Sequence, residues 1–241
     1  PKIKDNFDVA NIHHISTPEG GCDKEFWVDE FASLLKSLNI NKPIWVTEAM
    51  TGSCKVLSTY INAFVNGAEI INVKLFDASI KGSTRVGAIA GEITGNSTLS
   101  SITIVDSTVT GSITVGGIIG RSSSNGTHEY LAYSGTVSGL IHSNSTGQNI
   151  GGVIGKMQNN TVLSKSYFNG NISGREDVGG LVGKSTSTSL VYNSYSLGFI
   201  SGLNSGGIYG GSSSSVASHC FTSATVSRTT GGYGATVSYT H

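Results

Sequence analysis

The sequence predicts a mainly β protein: a glycine-rich β-solenoid over residues 81–241, preceded by a partial α/β segment over residues 1–80. Three observations carry that expectation. First, a six-residue word recurs as Val86-Gly87-Ala88-Ile89-Ala90-Gly91, Val115-Gly116-Gly117-Ile118-Ile119-Gly120, Ile150-Gly151-Gly152-Val153-Ile154-Gly155 and Val178-Gly179-Gly180-Leu181-Val182-Gly183. Looser copies start at Ser205 and Thr230. Successive starts lie 29, 35, 28, 27 and 25 residues apart, the period of stacked units that are each too small to bury their own apolar face. Second, the text changes near Lys81: Gly, Ser and Thr dominate after it, and Pro is absent beyond Pro43. Third, charged residues make up 12% of the chain, about half of the usual 25%.

Fifteen Lys and Arg balance fifteen Asp and Glu. Zero net charge removes the electrostatic case for nucleic acid or an anionic membrane. No apolar run reaches the length of a membrane-spanning helix. Cys22, Cys54 and Cys220 follow neither metal nor redox spacing. Cys22 and Cys54 could pair only from adjacent loops, and all three read as ordinary thiols. The chain opens on Pro1 with no signal-like segment, so it reads as a piece of something longer.

In the first segment, residues 7–14 read as a short strand. Trp27, Val28, Phe31, Leu34, Leu35 and Leu38 recur at helical spacing over 25–38, the stripe of an amphipathic helix in which Trp27 packs. Pro43-Ile44-Trp45-Val46-Thr47 reads as a buried strand with its Pro at the tolerated first position. A second helix over 54–64 carries Val56, Leu57, Tyr60, Ile61 and Phe64 on one side, and Asn66-Gly67 stops it. Residues 70–76 return as a strand. Alternating strands and helices with short connections predict a parallel sheet with helical cover.

Lys42-Pro43-Ile44-Trp45-Val46-Thr47-Glu48 resembles the seventh strand of TIM-barrel retaining glycoside hydrolases. Residues 8–16 are similar to the sixth strand and residues 66–71 to the approach to the eighth, so the likeness covers residues 7–77. It implies that Glu48 is the catalytic nucleophile, and that His13 or His14 lines the sugar site. Neighbours on a strand point to opposite faces, so at most one of the two histidines can do so. Trp45 is the third residue the resemblance offers for substrate binding. It lies three residues before Glu48 and points to the other side of the strand, which suits packing better than sugar stacking. Retaining glycosidases need two carboxyl groups about 5–5.5 Å apart, presented at the C-terminal ends of barrel strands. The family's acid/base Glu, on the fourth strand, has no counterpart in this chain, and three strands cannot close a barrel. Glu48 therefore keeps three readings: nucleophile of a larger barrel, remnant of an inactive one, or ordinary strand-end carboxylate. The fragment alone is not expected to turn over a glycoside. His13-His14 lacks further ligands for a metal, and no cofactor is implied.

In the second segment each word has a companion strand, as in Tyr167-Phe168-Asn169-Gly170-Asn171-Ile172-Ser173-Gly174 and Tyr195-Ser196-Leu197-Gly198-Phe199-Ile200-Ser201-Gly202. Tyr133 to Gly139 is a shorter version. Word and strand together resemble the GLUG motif of bacterial and archaeal surface proteins, adhesins and some secreted peptidases, over residues 70–235. Val, Ile and Leu are expected to stack into a narrow core, with Gly allowing close approach between rungs. Leu75 to Gly82 matches a companion strand as well as the end of an eighth barrel strand, so the first rung is expected to grow directly from the first segment. Gly183-Lys184-Ser185 matches only the end of a P-loop, and its neighbours read as strands, against nucleotide binding. Sequons stand at Asn96, Asn125, Asn144, Asn159 and Asn171, several of them expected by chance in so Asn- and Ser-rich a text.

The function expected is that of an extracellular or cell-surface repeat protein, an adhesive or structural stalk whose partners are glycans or cell-surface components. The alternative is the C-terminal part of a retaining glycoside hydrolase with a repeat appendage. An exposed end rung would invite self-association.

Overall fold

The computed structural model describes residues 10–15, 34, 36–38, 44–50, 70–71, 73–141 and 146–228. The chain divides into two compact units, Pro1–Ile70 and Ile71–His241.

In the first unit, strands Ala10–Ile15 and Ile44–Met50 pair in parallel, with a register shift between Ile12 and His13. The amide of Leu38 donates to the Leu34 carbonyl at 3.0 Å, a helical turn. Leu34 and Leu38, placed by the sequence on a buried stripe, are 53% and 56% exposed; such a stripe is buried only where another element covers it, and no described element does so here. The helix over 54–64, Trp27, Cys22 and Cys54 lie outside the described residues.

The second unit is a parallel β-solenoid of about five turns built on three sheets. One narrow sheet stacks Thr84–Val86, Ile113–Gly116, Gln148–Gly151, Glu176–Gly179 and Ser205–Gly206. The other stacks Ala90–Gly95, Ile119–Ser124, Ile154–Met157, Val182–Ser185 and Tyr209–Ser212. A wide third sheet carries the companion strands, Leu99–Gly111, Thr127–Gly139, Tyr167–Ser173 and Tyr195–Gly202 among them. Its first rung is Lys74–Phe76 with Ser79–Lys81, in register with Thr103–Val105 and Thr108–Thr110. The repeats thus begin before residue 81. The extra length between the second and third words falls between Gly139 and Gln148, and Gln148 still pairs with Ile113.

Each word is a corner: its first residues end one narrow strand and its last begin the other. The glycines permit the two backbones to meet. A Cβ on Gly116 would collide with the Ile119 carbonyl and the Gly155 amide, and one on Gly117 would strike the Tyr133 ring. Neither glycine has a positive φ, so close approach, not backbone handedness, selects them. The other word positions fill the core. Val115, Ile150 and Val178 are fully buried, as are Ile118, Val153 and Leu181 and, one residue on, Ile119, Ile154 and Val182.

The remaining bends use left-handed residues in columns. Ser101, Tyr130, Lys165, Asn193 and His219 share one bend of the wide sheet, with φ between 48° and 57°. The residue after such a position is often a serine that repairs the ladder. Ser166 Oγ accepts from the Leu131 amide at 3.1 Å and donates to the Ser164 carbonyl at 2.6 Å; Ser194 does the same for the Ser166 amide and the Tyr192 carbonyl. Cys220, a free and buried thiol, occupies the equivalent place in the next turn.

Candidate functional site

The strand pair of the first unit brings two of the sequence-selected residues together. Parallel register sets His13 beside Glu48, His14 beside Ala49 and Asn11 beside Trp45. Thirty-five residues separate His13 from Glu48, so their adjacency comes from strand pairing, and the shift after Ile12 is what aligns His13 with Glu48 and not with Thr47.

On the solenoid, the two residues flanking each word face each other across its corner. Going up the stack these pairs are Arg85 and Glu92, Thr114 and Arg121, Asn149 and Lys156, Asp177 and Lys184, Asn204 and Gly211. Arg85 Nη1 meets Glu92 Oε2 at 2.9 Å, and Lys184 Nζ meets Asp177 Oδ2 at 2.8 Å. Arg121 Nε reaches Glu92 Oε1 of the preceding turn at 3.0 Å. Asn204 Nδ2 donates to Asp177 Oδ1 at 3.3 Å. The lysine that the P-loop comparison singled out is therefore a strand residue in an ion pair. No other residue of these columns stands out in the sequence, but aligning the words and reading one residue outward at each end displays them.

The wide sheet presents a second outer feature. Tyr167 and Tyr195 stack with ring centroids 5.1 Å apart and planes 5° from parallel, and Phe221 follows in register. Lys165 Nζ lies 4.7 Å from the Tyr130 ring centre and donates to the Tyr130 hydroxyl, while pairing with Glu129 at 3.2 Å. In-register rings spend their faces on one another, so this ladder offers edges more than stacking platforms.

Inside, Ser122 Oγ and His128 Nε2 lie 2.9 Å apart, the spacing of a nucleophile and its base. Both residues are fully buried, and His128 Nδ1 accepts the Leu99 amide where a triad would place a carboxylate. Burial holds the imidazole well below its ordinary range, at about 4. This is a structural network, with Ser122 linked on to Thr161 and Thr161 donating to the Gln158 carbonyl. Among the described residues no group of His, Cys, Asp and Glu could hold a metal ion, and no helix is long and apolar enough to cross a membrane.

No family model matches the chain, and neither does any curated protein or solved structure.

Proposed function

We propose that this chain is a secreted or cell-surface repeat protein whose solenoid serves as an adhesive or structural stalk, of the kind the GLUG-like words imply. One observation carries the reading: the regular spacing of the words goes into about five turns of parallel sheet, with ion pairs at its corners and a tyrosine stack on its wide sheet. Stacked turns make a surface that grows with turn number, suited to many weak contacts. The test is adhesion of beads coated with the full chain to cells and to immobilised glycans. Capture above that of albumin-coated beads is expected for an adhesive stalk; no capture by any surface reduces the array to a spacer.

The second reading, the back of a retaining glycoside hydrolase, is favoured by the parallel register of His13 beside Glu48. Under it, Glu48 attacks the anomeric carbon and an acid/base carboxyl comes from outside this chain. Loss of glycosidase activity in Glu48→Gln of the longer protein is expected; unchanged activity sinks the idea.

A further inference from the structure

The corner columns are charged unevenly. At the first and fourth corners a cation and a carboxylate face each other, Arg85 with Glu92 and Lys184 with Asp177. At the second and third the facing residue is neutral: Thr114 stands opposite Arg121 and Asn149 opposite Lys156. Asn149 spends its amide on Thr114 Oγ1, at 3.3 Å. Arg121 borrows Glu92 from the turn below. Lys156 makes no ion pair with any described residue. It stands between Arg121 and Lys184 in register, about 4.8 Å from each along the stack.

Four cations (Arg85, Arg121, Lys156, Lys184) thus share two carboxylates, Glu92 and Asp177. Glu176, next to Asp177 in the chain, is held by Arg175 at 2.8 Å and by Gln148 at 3.3 Å. The half-buried ammonium of Lys156 is pressed below its ordinary range by burial and by the like charges of Arg121 and Lys184, with Asp177 acting weakly against them. Three aligned cations whose central member has no ion-pair partner among the described residues make a site that a bound anion would relieve.

We propose that this corner binds a linear acidic glycan, one carrying carboxylates, laid along the solenoid axis over Arg121, Lys156 and Lys184. The proposal rests on the adhesive reading and names its ligand class. The adhesive reading supplies the ligand class: a glycan chain laid along the stack can bring carboxylates over more than one rung of the cation column, adding weak contacts. A single-stranded nucleic acid would call for aromatic side chains to stack its bases, and the corner columns hold none; zero net charge weighs against a duplex.

The experiment measures binding of the full chain to immobilised polygalacturonate, with dextran as the neutral control, at low and at physiological ionic strength. Polygalacturonate is expected to bind above dextran, and more weakly as salt rises. Lys156→Ala should weaken binding about tenfold. Asn149→Asp should do the same without removing any cation, because it places opposite Lys156 the carboxylate that Asp177 places opposite Lys184. Lys165→Ala, on the wide sheet, should stay within about twofold. Circular dichroism melts check that each variant is folded. Equal binding to dextran, or Lys156→Ala and Asn149→Asp both folded and binding like the parent, overturns the proposal. So does duplex DNA held more tightly than polygalacturonate with the same dependence on Lys156. Cell capture that ignores Lys156 also overturns it while leaving the adhesive reading intact; capture of nothing at all fails both.

Discussion

Inside the solenoid the imidazole of His128 has both nitrogens committed. Nδ1 accepts the Leu99 amide at 3.2 Å, which leaves the proton on Nε2 to be donated to Ser122 Oγ at 2.9 Å. A second proton would have to displace the Leu99 amide and put a charge in an apolar interior. The folded value of about 4 lies below the ordinary 6.5, so the unfolded chain binds the proton first. The contribution of neutral His128 to stability is therefore complete well above pH 6.5. It falls by about 1.4 kcal/mol per pH unit as the pH drops towards 4, then levels off, a total of about 3 kcal/mol. Urea melts of the parent and of His128→Gln between pH 7 and pH 4 measure this directly. The variant is expected to be weaker at pH 7 and to lack this part of the acid slope; two parallel lines would show that His128 is not its source. Nothing in the residues near His128 announces the role, because its partners Leu99 and Ser122 belong to the rung below and to the facing narrow sheet. A lone histidine in a Thr- and Glu-containing stretch reads as a surface residue until the stacking is known.

At the scale of the element, the corners divide into those written in glycine and those that are not. The six-residue words were legible because a Cβ at Gly116, Gly117 or Gly120 meets backbone, so glycine is required and recurs visibly. The left-handed bends were illegible for the opposite reason. Asn193 suits such a conformation, but Tyr130 and Lys165 adopt it in the same column, held by ladder bonds on both sides and by no local preference of their own. The flanking columns of charge were readable in principle, since each lies one residue outside a word. Register of the first unit was not: the distance from His13 to Glu48 in sequence says nothing of which strand residues face each other. These distinctions predict unequal costs for alanine. At Gly198, φ is 103° and a new Cβ would sit 2.8 Å from the Gly170 amide nitrogen; at Gly95, φ is 74° but nothing lies within 4 Å. Gly95→Ala should cost about 1 kcal/mol of backbone strain, and Gly198→Ala about 3 kcal/mol or more because a collision is added to it. Denaturant midpoints of the two variants check the order, and equal losses would mean that the Gly198 rung yields without cost.

Across the whole molecule, the interior changes character from one end of the stack to the other. One column runs Ile104, Tyr133, Phe168, Ser196, Thr222; another runs Ile102, Leu131, Ser166, Ser194, Cys220. The early turns bury large side chains, with Tyr133 stacked on Phe168 at 5.9 Å and its hydroxyl donating to the Ser107 carbonyl. In the later turns hydroxyls take their place, satisfied by bonds such as Ser196 Oγ to the Gly207 carbonyl at 2.6 Å. Such a bond contributes about 1 kcal/mol, against about 1.5–3 kcal/mol for a buried Leu or Phe. Val216 and Phe221, at 57% and 51% exposure, add little burial at that end. In a stack where each turn touches only its neighbours, local stability follows local interface energy, so opening should begin in the hydroxyl-rich turns. Native-state hydrogen exchange is expected to show slower amides in strands Leu99–Gly111 and Thr127–Gly139 than in Tyr195–Gly202 and Thr225–Arg228. Ser196→Val, which extends the apolar column by one turn but leaves the Thr222 hydroxyl without its 2.9 Å partner, tests the cause. Slower exchange over 195–202 in this variant would assign the gradient to apolar burial. Faster exchange there would mean that the serine bonds, not the aromatic stack below them, hold the upper turns closed.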